Sequence, residues 1–201
     1  MPISHKHKII FVHIPKAGGT SIERFFGMTN HENMYETKNT FIDGVSFSLQ
    51  HLTPYYLKTW PGLAKYYDEY FKFVFVRNPY SRVVSEYFWR HRMKADKINP
   101  AHFSKWLRSF YKELDMDHKL PQVDYIYLDG KIQVDFVGRV ENMNDDFSKI
   151  LKHIGMNESI SLPKDNVTKK TIDKKLLLTK ENKDFIYQLY RKDFEQFNYD
   201  A

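Results

Sequence analysis

The sequence KIIFVHIPKAGGTSIERFF, residues 8–26, predicts a strand, a tight glycine turn and a helix in direct succession. Residues 8–13 form a continuous apolar run rich in β-branched side chains, which is typical of a strand buried on both faces of a sheet. The run ends at the turn residues 15–19, and apolar side chains then recur at helical spacing over residues 20–26. A strand that leads into a helix in this way favours a parallel sheet covered by helices.

The same pattern returns in the middle of the chain. Residues 72–77, KFVFVR, predict a second buried strand, and Asn78-Pro79 then begin a helix that continues to about Arg92. Further elements are expected after it, namely helices over residues 102–114, 142–154 and 180–197 and a hairpin of residues 123–128 and 131–137 across Asp129-Gly130. We therefore expect an α/β fold in three layers, a single domain over residues 1–201 whose central, mainly parallel sheet is flanked by helices.

Composition limits the kinds of protein that this chain can be. Its 201 residues include 31 Lys and Arg against 25 Asp and Glu, a formal charge of +6, so anionic partners are expected. It contains no cysteine, which excludes disulfides, thiolate metal sites and cysteine nucleophiles. No apolar stretch approaches the roughly 20 residues of a membrane-spanning helix, and the start of the chain lacks a signal-peptide pattern. These features predict a soluble protein of a reducing compartment.

The glycine turn has the features of an anion site. Adjacent Gly18 and Gly19 let the backbone approach a ligand closely, and the N-terminus of the following helix adds partial positive charge. Lys16 supplies a full charge, and the hydroxyls of Thr20 and Ser21 can cap the helix or donate to an anion. The simpler alternative is a tight turn before an ordinary capped helix.

The spacing of this turn differs from the nucleoside-triphosphatase loop G-x-x-x-x-G-K-[ST], in which the lysine follows the glycines and a neighbouring hydroxyl holds magnesium. Here Lys16 precedes the glycines, and the second strand ends in Arg77 rather than in a carboxylate that could hold magnesium. We therefore expect a phosphate group held by Lys and Arg without a metal ion. Ser85 follows eight residues after Arg77, so both reach one phosphate only if the chain at residues 78–80 folds the arginine back over the helix. Taken alone, Arg77 is better explained by a surface salt bridge.

Four blocks of the sequence together resemble one family. FVHIPKAGGTSIERFF (residues 11–26) and FVFVRNPYSRVVSEYFW (residues 73–89) closely resemble the two nucleotide-binding signatures of the sulfotransferases. LPQVDYIYL (residues 120–128) and DFVGRVENMNDDF (residues 135–147) resemble later blocks of the carbohydrate-modifying branch of that family.

The resemblance implies a donor, 3′-phosphoadenosine 5′-phosphosulfate (PAPS), held across the open end of the central sheet. It implies that a P-loop-like turn wraps the 5′-phosphosulfate through Lys16, Ala17, Gly18, Gly19, Thr20 and Ser21. It also implies that Arg77 and Ser85 bind the 3′-phosphate and that Lys16 stabilises the leaving phosphate. The physical reading agrees, because two separated anionic groups need two separated groups of donors.

A base must accept the proton of the attacking hydroxyl. The resemblance points to His51 in SLQHLTP, because the family commonly places a histidine after a short strand between the two donor-binding signatures; the alternative is a capping or core histidine. His13 is expected to fix the glycine turn. The remaining candidates are expected to be solvated histidines or acids that follow ordinary helix polarity, namely His91, His102, His118, His153, Glu23 and Glu86.

Other residues of the resembling blocks are expected to serve the fold. Arg82 is predicted to pack along its helix or to pair with an acid, with ligand contact as the alternative. Arg139 and Glu141 are predicted to form an ion pair that braces the sheet against the next helix, with substrate contact as the alternative. The aromatic residues between 185 and 197 recur at near-helical spacing and are predicted to be core.

Two kinds of loop are candidates for ligand contact. In related enzymes a late loop closes over the donor, which makes Asn166, Lys169 and Lys170 candidates; the alternative is a solvated basic stretch. Residues 30–44 and 93–100 are candidates for the rim of the acceptor site.

The expected function is sulfuryl transfer from PAPS to a hydroxyl, on a carbohydrate or glycoconjugate, by in-line displacement without a metal. The alternatives are a P-loop-like small-molecule kinase and a non-enzymatic polyanion-binding module, although no nucleic-acid-binding signature is present. A cytoplasmic, bacterial-type enzyme is expected, with a trimmed catalytic domain of the Golgi lumen as the alternative.

Overall fold

The structure is a computed structural model that describes residues 3–28, 39–42, 45–59, 63–93, 98–113, 116–157, 159, 162 and 173–201. Its strands in chain order are β1 (Ile3–Ser4), β2 (Ile9–Val12), β3 (Asn39–Ile42), β4 (Val45–Ser48), β5 (Phe71–Val76), β6 (Tyr127–Leu128), β7 (Lys131–Ile132) and β8 (Phe136–Arg139). Its α-helices are α1 (Gly19–Phe25), α2 (Pro54–Thr59), α3 (Ala64–Tyr67), α4 (Pro79–Arg90), α5 (Pro100–Phe110), α6 (Met143–His153), α7 (Lys174–Leu177) and α8 (Lys180–Gln196).

The central sheet has the strand order β1-β2-β5-β8. Strand β2 pairs in parallel with β5, which pairs in parallel with β8, and β1 adds an antiparallel edge. The register places Val12 beside Val74 and Val76 beside Arg139, so the carboxyl ends of three parallel strands lie at one edge. The mainly parallel α/β sheet predicted from the two apolar runs is confirmed.

Apolar side chains alternate across the sheet, which gives the fold its layers. Phe11 and Phe73 point to one face, where they pack with Phe147 and Ile150 of α6 and with α1. The neighbouring strand residues point to the other face and join a second cluster that includes Leu57 of α2. A third cluster lies between α4, α5, α7 and α8, and it buries Tyr190 and Phe194 of the last helix, as predicted, with Phe185 half-buried against it. Phe197 is also buried, but in the second cluster.

The predicted hairpin at Asp129-Gly130 is only partly correct. The turn is present, with positive φ at both residues (51° and 72°), but β6 and β7 have two residues each. Residues 122–125 form a 3₁₀ helix instead of a strand, because the carboxylate of Asp193 accepts the backbone N–H groups of Gln122 and Val123 at 2.9 and 3.0 Å. Phe136–Arg139 is the fourth strand of the central sheet and not a hairpin arm.

The helices begin where their sequences indicate. Asn78 caps α4 by accepting the N–H of Ser81 at 3.2 Å, and Pro79 occupies its first position, as predicted. The helix expected over residues 102–114 begins earlier, at Pro100, because Asn99 caps it, and it ends at Phe110.

Candidate active site

The turn after β2 holds Lys16 in an unusual backbone conformation. The N–H of Ala17 donates to the carbonyl of Ile14 at 3.2 Å, which closes a four-residue turn with Pro15 and Lys16 at its centre. Lys16 has a φ of +66°, a left-handed conformation that normally favours glycine or asparagine. Such conformations cost energy and concentrate at ligand-binding and catalytic sites.

Helix α1 starts at Gly19, and Gly18 is its N-cap with a φ of +79°. The expectation that Thr20 or Ser21 caps this helix is wrong, because both lie inside its first turn, after the capping position. No described side chain caps the helix, and the two hydroxyls are half-buried beside its first N–H groups. These backbone donors and hydroxyls together can hold an anion.

Close neighbours leave no room for a side chain at Gly18 or Gly19. A Cβ on Gly18 would lie 2.5 Å from the terminal methyl of Met143, in addition to the strain of its positive φ. A Cβ on Gly19 would lie 2.2 Å from Nε2 of His13. The imidazole of His13 therefore packs directly against the turn, as predicted.

Two arginines bind the carbonyl groups of this turn. Arg82 donates through Nε to the carbonyl of Pro15 at 3.0 Å, and Arg77 donates to the carbonyl of Lys16 at 3.1 Å. Carbonyl oxygens repel an anion, so the two guanidinium groups both fix the turn and neutralise its unfavourable dipoles. Arg82 also donates to the carbonyls of Leu120 and His118 at 2.8 and 3.2 Å, so it packs within the fold but bonds carbonyls rather than an acid.

Arg77 thus lies against the glycine turn. Its backbone is held by Gln122, whose amide accepts the Arg77 N–H at 2.9 Å and donates to the Arg77 carbonyl at 2.8 Å. Ser85 is half-buried on α4, and the hydrogen bonds found among the described residues do not join it to Arg77. One guanidinium nitrogen of Arg77 binds the carbonyl of Lys16, so the sharing of one phosphate by Arg77 and Ser85 stays a prediction.

The side chain of Lys16 lies near one carboxylate and three arginines. Its Nζ is 4.9 Å from the centroid of the Trp89 ring. Burial lowers the pKa of the Lys16 ammonium to about 8, and although Glu86 opposes this shift, Arg77, Arg92 and Arg90 add repulsion in the same direction. An anion placed beside Lys16 would relieve that repulsion and favour the ammonium form.

His51 lies on a 3₁₀ helix, Leu49–His51, directly after β4, which agrees with the predicted position after a short strand. Its Nδ1 is 3.0 Å from the carbonyl oxygen of His13. Because a carbonyl only accepts, Nδ1 carries the hydrogen and Nε2 of the neutral ring has the lone pair. Burial, together with the neighbouring His13 and His118, holds the pKa of His51 well below its usual value. The ring is therefore a neutral imidazole with a basic nitrogen at Nε2.

Glu23 is not available as a base. It is fully buried, and its Oε1 lies 2.7 Å from Nδ1 of His13. The amide of Gln50 donates to both of its carboxylate oxygens at 2.8 and 2.7 Å. Glu23 is therefore explained by this buried hydrogen-bond network and not by helix polarity. Its carboxylate positions the ring of His13.

A second carboxylate–histidine pair was missed by the sequence interpretation. Nδ1 of His118 is 2.9 Å from Oε2 of the buried Glu86, whose Oε1 accepts Nε–H of Arg90 at 2.6 Å. The His118 ring meets the His51 ring edge to face at 5.3 Å between centroids and stacks on Trp89 at 5.4 Å. His118 is therefore part of the site, and the expectation of a solvated histidine is wrong.

The other histidines lie apart from this cluster. His153 is exposed, as predicted, and stacks on Phe71. His91 and His102 are half-buried rather than solvated, because both bond to Tyr87 at 2.8 and 2.9 Å.

The family model for the sulfotransferase family matches residues 1–200. The chain belongs to the sulfotransferase family. It is 24% identical to human carbohydrate sulfotransferase 9 over 98% of this chain and 52% of that protein, and 22% identical to zebrafish (Danio rerio) carbohydrate sulfotransferase 11 over 98% and 66%. The chain therefore spans about half to two thirds of the length of those two relatives.

Two further comparisons concern proteins of prokaryotes. The chain is 34% identical to an uncharacterized protein of Archaeoglobus fulgidus over 49% of this chain and 78% of that protein. It also matches the crystal structure of a sulfotransferase from Alicyclobacillus acidocaldarius, with 19% identity, a TM-score of 0.35, and coverage of 73% of this chain and 63% of that chain.

Arg139 and Glu141, in the block of residues 135–147, brace the sheet edge, but not as a mutual ion pair. Arg139 donates to the carbonyl of Phe197 and lies over the ring of Tyr199. Glu141 accepts the N–H of Asn78 at 2.9 Å and the hydroxyl of Tyr199 at 3.0 Å. These contacts tie β8 to the start of α4 and to the end of the chain.

Some predicted sites lie outside the described residues. They are Asn166, Lys169 and Lys170 and most of the proposed acceptor-rim loops, residues 30–44 and 93–100. Within the described ranges, no helix is long and apolar enough to cross a membrane. In the same part of the chain, no three His, Asp or Glu side chains are grouped so that they could hold a metal ion.

Proposed function

We propose that this protein transfers a sulfuryl group from PAPS to a hydroxyl of a carbohydrate-containing acceptor. The observation that carries the proposal is the position of Lys16. Lys16 belongs to a turn whose carbonyls are bound by Arg77 and Arg82, and this turn leads into a helix whose first N–H groups no described side chain caps. This arrangement fits a phosphate-linked anion, and the names of the human and zebrafish relatives suggest the acceptor class.

Donor binding would use the whole turn. The N–H groups of Gly18 and Gly19 and the hydroxyls of Thr20 and Ser21 would donate to the 5′-phosphosulfate. Arg77 has five N–H donors and spends one on the carbonyl of Lys16, so others remain for the 3′-phosphate, with Ser85 as a second donor.

The chemistry would use Lys16 and His51 in the same step. When bound, the donor supplies an electrophilic sulfuryl group on a phosphate leaving group. Nε2 of His51 takes the proton of the attacking hydroxyl, while the new bond from oxygen to sulfur forms and the bond from sulfur to the bridging oxygen breaks. The ammonium of Lys16 stabilises the negative charge that develops on that oxygen. The electron pair of the broken bond stays on the phosphate, so no oxidant or metal is needed to balance the step.

Labelled-sulfate transfer to a panel of glycans tests the proposal. We expect transfer by the wild type, a loss of about 10²–10³ in kcat/KM for Lys16→Met, and a loss of about 10²–10⁴ for His51→Asn. Lys131→Met and His153→Asn change exposed residues of the same types and should leave transfer unchanged. Undiminished transfer by Lys16→Met and His51→Asn would reject the assigned roles.

Donor selection needs a separate measurement. We expect 3′,5′-adenosine bisphosphate to raise the melting temperature of the protein and adenosine 5′-monophosphate to raise it much less. Arg77→Met should abolish that difference, because the proposed site of the 3′-phosphate is then lost. Equal stabilisation of the wild type by both nucleotides would contradict the role of Arg77.

A further inference from the structure

Two imidazoles of the site are in contact but differ in their surroundings. The rings of His51 and His118 meet edge to face at 5.3 Å between centroids. His51 is buried among His13, His118 and backbone, whereas the side chain of His118 is 17% exposed and reaches the surface beside Trp89. Of the two imidazoles in contact with His51, His118 is therefore the more exposed to water.

The surroundings of His51, the proposed base, disfavour its protonated form. Nδ1 of His51 already donates to the carbonyl of His13, so a proton taken from the acceptor resides on Nε2. The resulting imidazolium would be buried, and its two ring neighbours are the imidazoles of His13 and His118. Burial and these neighbours disfavour the charged ring, so the proton has to move on before the next turnover.

Glu86 prepares His118 to receive that proton. The carboxylate accepts Nδ1–H of His118 at 2.9 Å, which leaves the lone pair of the neutral ring on Nε2 and stabilises the ring when it becomes charged. Arg90 holds the other carboxylate oxygen at 2.6 Å. Burial alone would raise the pKa of Glu86, but the His118 hydrogen bond and the charges of His118, Arg90 and Lys16 lower it overall, so the group remains a carboxylate.

A buried carboxylate is otherwise unexpected here. The site is proposed to bind a polyanionic nucleotide, and a negative charge near Lys16 opposes that binding. The role of Glu86 in orienting the His118 imidazole accounts for a carboxylate at this position.

We propose that His118, positioned by Glu86, is a proton-relay residue that accepts the acceptor's proton from His51 and releases it to water. The inference rests on the proposed sulfuryl transfer. The proton leaves the hydroxyl for Nε2 of His51, passes to Nε2 of His118 directly or through one water, and leaves as hydronium or on buffer. Charges are conserved at each transfer, and the carboxylate of Glu86 stays ionised throughout.

His118→Asn is the decisive variant, because the amide of asparagine can keep the N–H donor to Glu86 but cannot carry a proton. We expect kcat to fall about 10- to 100-fold, a part of the range for acid–base groups, while the affinity for 3′,5′-adenosine bisphosphate stays unchanged. Added imidazole should restore activity to His118→Asn and have no effect on the control His153→Asn. Full activity without imidazole, or a loss that imidazole does not restore, would overturn the relay.

The pH profile gives a second readout. The charged and titratable groups around His118 are Glu86 and Arg90 on α4, Lys16 beside Trp89, His51 on its 3₁₀ helix, the adjacent Asp117, and Arg82 at the His118 carbonyl. Glu86→Gln removes the carboxylate that favours the charged ring, so the acid limb of the kcat profile should move to lower pH. An unmoved limb would count against the relay.

The two proposals fail differently. If the wild type transfers no labelled sulfate to any acceptor, the proposed function fails. If the wild type and His118→Asn are equally active while His51→Asn is inactive, the proposed function stands and the relay is wrong.

Discussion

Arg82 binds both the turn that carries Lys16 and the segment that carries His118, so Arg82→Lys tests how the fold supports the chemistry. Arg82 is 3% exposed, and its guanidinium donates to three carbonyls in two segments of the chain. One belongs to Pro15, next to Lys16, and another belongs to His118. A single side chain therefore fixes both the proposed anion-binding turn and the segment that holds the proposed relay.

The cost of the change follows from its lost hydrogen bonds. A hydrogen bond to a charged group contributes about 1.5–3 kcal/mol, and the lysine ammonium, as a point donor, can replace one of the three. Loss of the other two predicts a decrease of about 3–6 kcal/mol in the free energy of unfolding. For a domain of this size, each kcal/mol lowers the melting temperature by about 2–4 °C, so a drop of at least about 6 °C is expected.

Calorimetry and urea unfolding of Arg82→Lys measure this cost, and Arg191→Lys is the matched control. Arg191 pairs with Glu195 on the exposed side of α8, so its replacement should leave the melting temperature unchanged. In the folded fraction of Arg82→Lys, a displaced Lys16 turn predicts a fall of about 10² in kcat/KM. A drop of less than about 2 °C would show that the three carbonyls do not depend on the guanidinium, and the reasoning would be refuted.

Two further substitutions address the glycine turn. Gly19→Ala places a methyl group 2.2 Å from Nε2 of His13, so urea unfolding should show a loss of about 1–3 kcal/mol together with reduced transfer. Gly27→Ala adds a methyl where nothing lies within 4 Å, so it should cost only the strain of its positive φ and leave transfer unchanged; equal activity of the two variants would contradict the close packing of His13. Burial lowers the pKa of Lys16 to about 8. The affinity of the wild type for 3′,5′-adenosine bisphosphate should therefore fall as the pH rises from 7.5 to 9.5, by at most about tenfold per pH unit, whereas Lys16→Arg should keep its affinity. Parallel pH curves for the two proteins in titration calorimetry would argue against this.

The parts of the fold that are predictable from the sequence have local causes. The apolar runs of β2 and β5 and the caps of α4 are each contained in a few consecutive residues. The position of β8 depends on pairing with β5, some 60 residues earlier in the chain. The 3₁₀ helix before it depends on Asp193, about 70 residues later, so neither feature has a local signal.

The candidate site follows the same division. Lys16 and the two glycines are visible as a motif, but the identity of the helix cap depends on the left-handed conformation of Gly18 rather than on a capping side chain. His118 lacks a motif of its own, because its partner Glu86 is 32 residues away in sequence and the contact with His51 is formed only by the fold. A useful signal would have been that Glu86 lies on the inward face of α4, four residues before Arg90.

The buried acids of this site determine which of its positive charges are available to bind an anion. A site made of Lys16 and several arginines would attract many anions, and repulsion among the cations would displace their side chains. Glu23 and Glu86 are each buried against a histidine, at 2.7 and 2.9 Å, so each carboxylate fixes an imidazole instead of neutralising Lys16 directly. The ammonium of Lys16 consequently lies over Trp89 and is left to pair with an incoming anion. The acids thus set the acid–base chemistry of the site, and the cations that they leave unpaired set its affinity for the donor.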